Sequence, residues 1–212
     1  MLVILRIMDL RFVNRREELE LLEDFASQKR AGIAVVYGRR RVGKTRLLLE
    51  FLKTRQGVCV FVPRGGQASL LRGFSRSLGA SLPPGAVFRD LESVFEYFEE
   101  IFRQGKMVVL DEFQNLSEVR GAVTLLQRYW DEEFSKMDAK LVLAGSSIRM
   151  IERVSLRGDA PLYGRKSLTL EVAPLEPQAL VEWFPSKTPE EVMTIYGIFG
   201  GTPAHLNTWM NR

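Results

Sequence analysis

Apolar and polar residues follow one another in blocks along this chain. Five short apolar runs rich in β-branched residues, I-A-V-V-Y at 33–37, V-C-V-F-V at 58–62, M-V-V-L at 107–110, L-V-L-A at 141–144 and S-L-T-L-E-V at 167–172, are separated by segments of helical period. A near-continuous apolar run is what a strand buried on both faces needs, so the alternation predicts an α/β fold: a five-stranded parallel sheet with helices on both faces. The helical period is clearest over 117–137, where Val119, Ala122, Val123, Leu126, Trp130, Phe134 and Met137 share one side and Glu118, Arg120, Arg128, Asp131 and Glu132 the other. Similar patterns occupy 15–29, 44–54, 67–79 and 90–103, with S-L-P-P-G at 81–85 as a break. Beyond the fifth strand the spacing predicts helices at about 176–184 and 189–199, a Gly200-Gly201 stop, and a further helix opened by Thr202-Pro203, a capping residue before Pro at the first helical position. The expected organisation is a core over 1–175 and a small C-terminal helical segment over 176–212.

The first strand runs directly into Gly38-Arg39-Arg40-Arg41-Val42-Gly43-Lys44-Thr45, followed by a helical segment that opens with Arg46. Every fixed position of G-x-x-x-x-G-K-[ST] is filled. Glycines let the backbone wrap so that its N–H groups meet phosphate oxygens, and the helix N-terminus adds positive potential. Lys44 can reach the β- and γ-phosphates, and Thr45 would place its hydroxyl on Mg²⁺. The flanking strand and helix are the context this mechanism demands.

Strand 107–110 ends in Asp111-Glu112. In a phosphate-loop site the first acid holds Mg²⁺ through its water shell and the second orients or deprotonates the attacking water. Strand 58–62 intervenes between the loop and this pair, an arrangement that resembles the additional-strand, catalytic-glutamate branch of P-loop NTPases. The fourth strand ends at Ala144-Gly145-Ser146-Ser147, where Ser146 or Ser147 could act as a polar sensor near the γ-phosphate or cap a helix starting at Ile148.

Together these blocks resemble the archaeal ATPase family, a clade of the STAND NTPases related to the AAA+ ATPases. The match runs through F-V-N-R-R-E-E-L-E-L-L at 12–22, Y-G-R-R-R-V-G-K-T at 37–45, L-D-E-F-Q-N-L at 110–116, A-G-S-S at 144–147, P-L-Y-G-R at 161–165 and G-G-T-P at 200–203. The resemblance implies that Asn14 and Arg15, in the segment 10–30, lie beside the adenine, that Pro203 lies near the base, that Gln114 lies near the attacking water, and that Arg165 reads the γ-phosphate. Read from the residues alone, Asn14 with Glu17 is a helix-capping pair, and Tyr163-Gly164-Arg165 is the turn into strand five. Two departures stand out. Family members usually continue into a winged-helix or similar domain, whereas this chain stops at Asn211-Arg212. The arginine expected directly after the sensor strand is displaced by one residue to Arg149.

Composition narrows the picture further. Hydrophobic residues make up 46% and charged residues 26%, which excludes a disordered chain or a collagen, and one cysteine excludes a disulfide scaffold. Cys59, inside an apolar run, reads as a buried thiol of a cytoplasmic protein. No apolar stretch approaches the roughly 20 residues that cross a bilayer, and M-L-V-I-L-R-I-M at the start lacks the marks of a signal peptide. It reads as an edge strand, or as sequence preceding a natural start at Met8. His205 is the single histidine, which excludes a histidine-based metal site. The net charge of +4 is unevenly spread: Arg149, Arg153 and Arg157 recur every fourth residue, a stripe suited to DNA phosphates or a neighbouring subunit, or a solvated helix face. The leading expectation is a Mg²⁺-dependent ATPase that converts ATP to ADP and phosphate to drive a conformational switch. The main alternative is a nucleotide-gated module with little turnover that binds DNA or protein; arginine-mediated oligomers fit either. A small-molecule kinase fits the acid pair less well, and no Asn-Lys-x-Asp motif supports a GTPase.

Overall fold

A computed structural model describes residues 12–79, 82, 86–146, 162 and 164–210. In chain order the elements are α1 (Arg16–Ser27), β1 (Gly32–Tyr37), α2 (Lys44–Phe51), β2 (Gly57–Phe61), α3 (Gln67–Leu78), α4 (Leu91–Arg103), β3 (Met107–Asp111), α5 (Ala122–Glu132), β4 (Lys140–Gly145), β5 (Lys166–Glu171), α6 (Pro177–Trp183), α7 (Pro189–Phe199) and α8 (Pro203–Met210). The sheet order is β2-β3-β4-β1-β5 and every pairing is parallel. Strand β4 therefore lies between β1, which feeds the phosphate loop, and β3, which ends in the acid pair. This is the additional-strand arrangement of P-loop ATPases.

The period of two along each central strand divides the core. Ile33, Val35, Val108, Leu110, Leu141 and Leu143 face one layer, where they pack on α3, α4 and α5 through Phe74, Phe95, Phe98 and Leu126. Their neighbours Ala34, Val36, Val109, Val142 and Ala144 face the other layer and meet Leu22 and Phe25 of α1 and Leu47, Leu48 and Phe51 of α2. The middle strands β1, β3 and β4 are buried almost throughout, while β2 and β5 at the edges are only partly buried, which explains why S-L-T-L-E alternates. A third apolar cluster joins Leu175 to α6, α7 and α8 through Leu180, Trp183, Ile195 and Leu206, and takes in Val13 from the N-terminal segment.

Two expectations change. The single helix over 117–137 is instead a 3-10 helix at Phe113–Glu118, then α5, then a 3-10 turn at Phe134–Lys136. Gly121 at φ 79° breaks the ladder before α5, yet Trp130 and Phe134 keep their buried face through the tighter second turn. Asn14 and Glu17 do not form a capping box: Asn14 and Arg15 both sit in the left-handed region, the helix starts at Arg16, and no side chain caps it. The Asn14 N–H instead donates to Glu182 in α6. The initial apolar octet, Ser147, the arginine stripe at 149–157 and Tyr163 lie outside the described residues.

Candidate functional site

The phosphate loop is shaped by backbone that only particular residues tolerate. Gly38 leaves β1 at φ +154°, and a Cβ there would stand 2.3 Å from the carbonyl oxygen of Val172, which closes on the loop beside β5. Gly43, at φ 99°, precedes the first turn of α2. Lys44 is almost fully buried beneath the loop, and its ammonium donates to the carbonyls of Gly38 and Arg39, each at 2.9 Å. Burial pushes the Lys44 pKa down, while the neighbouring charges of Asp111 and Glu112 pull it up. A buried cation held on two carbonyls by neutral hydrogen bonds is poised to exchange them for a stronger anionic acceptor.

Asp111 closes β3 and is buried. Its carboxylate accepts from the Thr45 hydroxyl at 2.5 Å and from the Glu112 N–H at 3.0 Å. Burial raises the Asp111 pKa against the lowering effect of the Thr45 hydrogen bond, and the adjacent Glu112 charge raises it further. A hydroxyl and a carboxylate are hard oxygen donors, and together with a ligand's phosphates they suit Mg²⁺, which is bound through one or two carboxylates rather than an all-protein cage. No cluster of three or more acids, cysteines or histidines that could hold a metal ion forms among the described residues.

Glu112 sits one residue beyond the strand at φ 54°, ψ 38°. The turn swings its carboxylate out of the sheet line to accept from Ser146 Oγ, at the end of β4, at 3.0 Å, and from the Gln114 amide. Gln114 is itself buried, and its Oε1 has no hydrogen-bond partner among the described residues. Among the described residues, the non-glycine residues with positive φ are Asn14, Arg15, Arg41 and Glu112, and the last three line one cavity. Strain of this kind, of order 1–3 kcal/mol per residue, concentrates where function holds the backbone in place.

That cavity, about 300 Å³, runs from the loop toward α8. Of the residues expected from sequence it brings together Arg15, Arg41, Val42, Gly43, Lys44, Thr45, Arg46, Glu112, Ser146 and Pro203. Arg15 is a buried strut: its guanidinium donates to the carbonyls of Val42 at 3.2 Å and Ala173 at 2.6 Å and pairs with Glu18. Arg46 pairs with Glu50 and lies 5.1 Å over the Phe12 ring. Gly38, Asp111 and Gln114 form a layer behind the lining, and Arg39 and Arg40 are exposed on the loop. Asn14 contributes through its neighbours only, being exposed and turned to Glu182. Arg165 stands apart: Asp131 of α5 holds its guanidinium with two hydrogen bonds, at 2.6 and 2.8 Å, and it does not line the cavity. Its role toward the γ-phosphate, within the chain or across a subunit boundary, is a matter for Arg165→Ala turnover measurements.

Sequence reasoning did not assign Phe12, Val13, Leu175, Trp183, Ala204 and Asn207 to the cavity lining. Phe12 and Val13 open a recognised block, but Leu175, Trp183 and Asn207 carry no local signal.

A family profile described as an ATPase domain predominantly from Archaea matches residues 12–208. The chain belongs to that family. An uncharacterized protein of Methanocaldococcus jannaschii is 32% identical over 196 residues, 92% of this chain and 43% of that protein, so the chain spans less than half of this relative's length. An uncharacterized ATP-binding protein of Pyrococcus abyssi is 28% identical over 235 residues, 95% of this chain and 70% of the relative. Among solved structures, a Walker-type ATPase of P. abyssi superposes with a TM-score of 0.71 at 21% identity, covering 94% of this chain and 69% of its own. The family match agrees with the sheet order and the loop. No helix among the described residues is long and apolar enough to cross a membrane.

Proposed function

We propose that this archaeal-type ATPase domain binds ATP with Mg²⁺ and hydrolyses it to ADP and phosphate, using the cycle to change how the helical unit α6–α8 sits on the sheet. The single observation that carries hydrolysis over mere binding is Glu112: a carboxylate on the rim of the phosphate-loop cavity, aimed by a left-handed turn and held by Ser146 and Gln114. A module that only bound nucleotide would have no use for an oriented acid there.

In this reading the loop N–H groups and the start of α2 hold the phosphate oxygens, and Lys44 turns from the Gly38 and Arg39 carbonyls to the β- and γ-phosphates. Thr45 and Asp111 would hold Mg²⁺, which would supply charge neutralisation to the phosphates. Glu112 orients a water for in-line attack and takes its proton. Ser146, released from Glu112 Oε1, donates to the γ-phosphate. Gln114 fixes the Glu112 carboxylate from behind. A conformational response is supported by the make-up of the cavity, which is lined both by the loop and sheet ends and by Trp183, Pro203, Ala204 and Asn207 of the C-terminal helices. The domain division at 175 rests on the same cluster of α6–α8.

The test is titration of ATP with and without Mg²⁺, with phosphate release measured in parallel. Lys44→Ala should weaken ATP binding by at least about tenfold, because an interaction between a buried ammonium and phosphate is charge-assisted, while circular dichroism stays unchanged. Equal affinity in wild type and Lys44→Ala would end the phosphate-loop reading.

A further inference from the structure

Phe12, Val13, Leu175, Trp183, Pro203 and Ala204 give the cavity much of its carbon surface, and Asn207 of α8 lines it beside them. The Asn207 Nδ2 is shielded from solvent and has no hydrogen-bond acceptor among the described residues. An amide N–H₂ buried without a partner is unfavourable by the desolvation of that group, so such groups are rare unless something else satisfies them. Asn207 lies one residue beyond Leu206, which is fully buried in the cluster of α6, α7 and α8 and anchors this turn of the helix. Lys44 and Thr45 of the phosphate loop line the same cavity. A nucleotide with its phosphates on the loop would bring a flat base among the cavity's apolar residues.

We infer that Asn207 is the specificity-determining residue for that base and selects adenine over guanine, an inference that rests on the nucleotide reading above. A side-chain amide offers a donor beside an acceptor. Adenine offers the complement, a ring-nitrogen acceptor beside the exocyclic amine, so Nδ2 donates to the ring nitrogen and Oδ1 accepts from the amine. Guanine presents O6 and N7 as two adjacent acceptors on one edge, which leaves Oδ1 opposed. On its other edge guanine brings an additional exocyclic amine into apolar surroundings formed by residues such as Leu175 and Trp183. A site built to pair a polar group rejects a ligand that leaves it unpaired far more strongly than an apolar pocket rejects a mere change of size.

The experiment compares ATP, GTP and inorganic tripolyphosphate binding to wild type, Asn207→Leu, Asn207→Asp and Lys44→Ala. Wild type should prefer ATP to GTP by about 5- to 150-fold, the range of one bidentate amide–base contact. Asn207→Leu should lose most of that ratio through weaker ATP binding. Asn207→Asp, which keeps the size but has only acceptors, should also lose it, with GTP gaining because guanine carries the N–H donors. Tripolyphosphate, which has no base, should bind wild type and both Asn207 variants equally, showing that the loop is undisturbed. Lys44→Ala should lose ATP, GTP and tripolyphosphate together. Equal binding of ATP and GTP by wild type, or an unchanged ratio in the two Asn207 variants, overturns the inference while leaving the nucleotide reading in place. Failure of wild type to bind any of the three overturns both.

Discussion

Replacing Glu112 by Gln isolates the chemical step. The substitution keeps the backbone turn at φ 54° and the length of the side chain. Its new amide can donate to Ser146 Oγ, which now accepts, and its oxygen can still accept from Gln114, so both contacts of the native carboxylate have replacements. What is lost is the full charge and the capacity to take a proton. Positioned acid–base groups contribute about 10²–10⁴ in rate, or about 3–5 kcal/mol of barrier. Binding should survive, because the phosphate contacts come from the loop backbone and Lys44, and Thr45 reaches Asp111 rather than Glu112. Single-turnover phosphate release should therefore fall by about 10²–10⁴ while ATP affinity stays within a few-fold, so that the variant accumulates the ATP-bound state. If wild type and Glu112→Gln release phosphate at the same slow rate, Glu112 is not the water-activating group and the chain is a nucleotide-gated binder.

The remaining predictions concern burial and ion pairing. Because burial raises the Asp111 pKa in the folded state, this group makes stability fall as pH rises from the ordinary carboxylate range through the raised value; Asp111→Asn should raise the melting temperature of the nucleotide-free protein at pH 7–8 yet weaken Mg²⁺-dependent ATP binding, and a lower melting temperature with unchanged Mg²⁺ dependence refutes the assignment. Arg165→Ala breaks a partly exposed pair with Asp131, so denaturant unfolding should change by about 1 kcal/mol or less and ATP turnover should stay near wild type; a large loss of turnover returns Arg165 to the γ-phosphate. The Cys59 thiol is pushed up to about 12, first by burial and then by the charge of Asp111, so it stays protonated until about that pH; iodoacetamide labelling at pH 8 should run roughly 10³-fold slower in the folded protein than in the denatured chain, and equal rates would show an accessible thiolate.

Much of this protein is written locally in its sequence. The five apolar runs became the five strands to within a residue at each end, because burial on both faces demands continuous apolar character in β1, β3 and β4 and partial burial at the edges still leaves β2 and β5 an apolar face. The loop from Gly38 to Thr45 was equally legible, since its chemistry comes from contiguous backbone whose left-handed turns only certain residues accept. Asp111 and Glu112 were readable for the same reason, as consecutive residues at a strand end. What the sequence could not convey depends on which distant segments meet. The placement of β4 between β1 and β3 sets Ser146 against Glu112, and the packing of Leu175 and of α6 to α8 brings Leu175, Trp183 and Asn207 into one cavity with Lys44. The same long-range packing redirected local signals. Asn14 gave up its capping role when Arg15 was drawn to the Val42 and Ala173 carbonyls, and Arg165 was taken by Asp131 on a helix 34 residues earlier. Periodicity and turn chemistry act over a few residues and survive any arrangement of the elements. The lining supplied by Leu175, Trp183 and Asn207 exists only once the parallel crossovers and the C-terminal helices have been laid down in space.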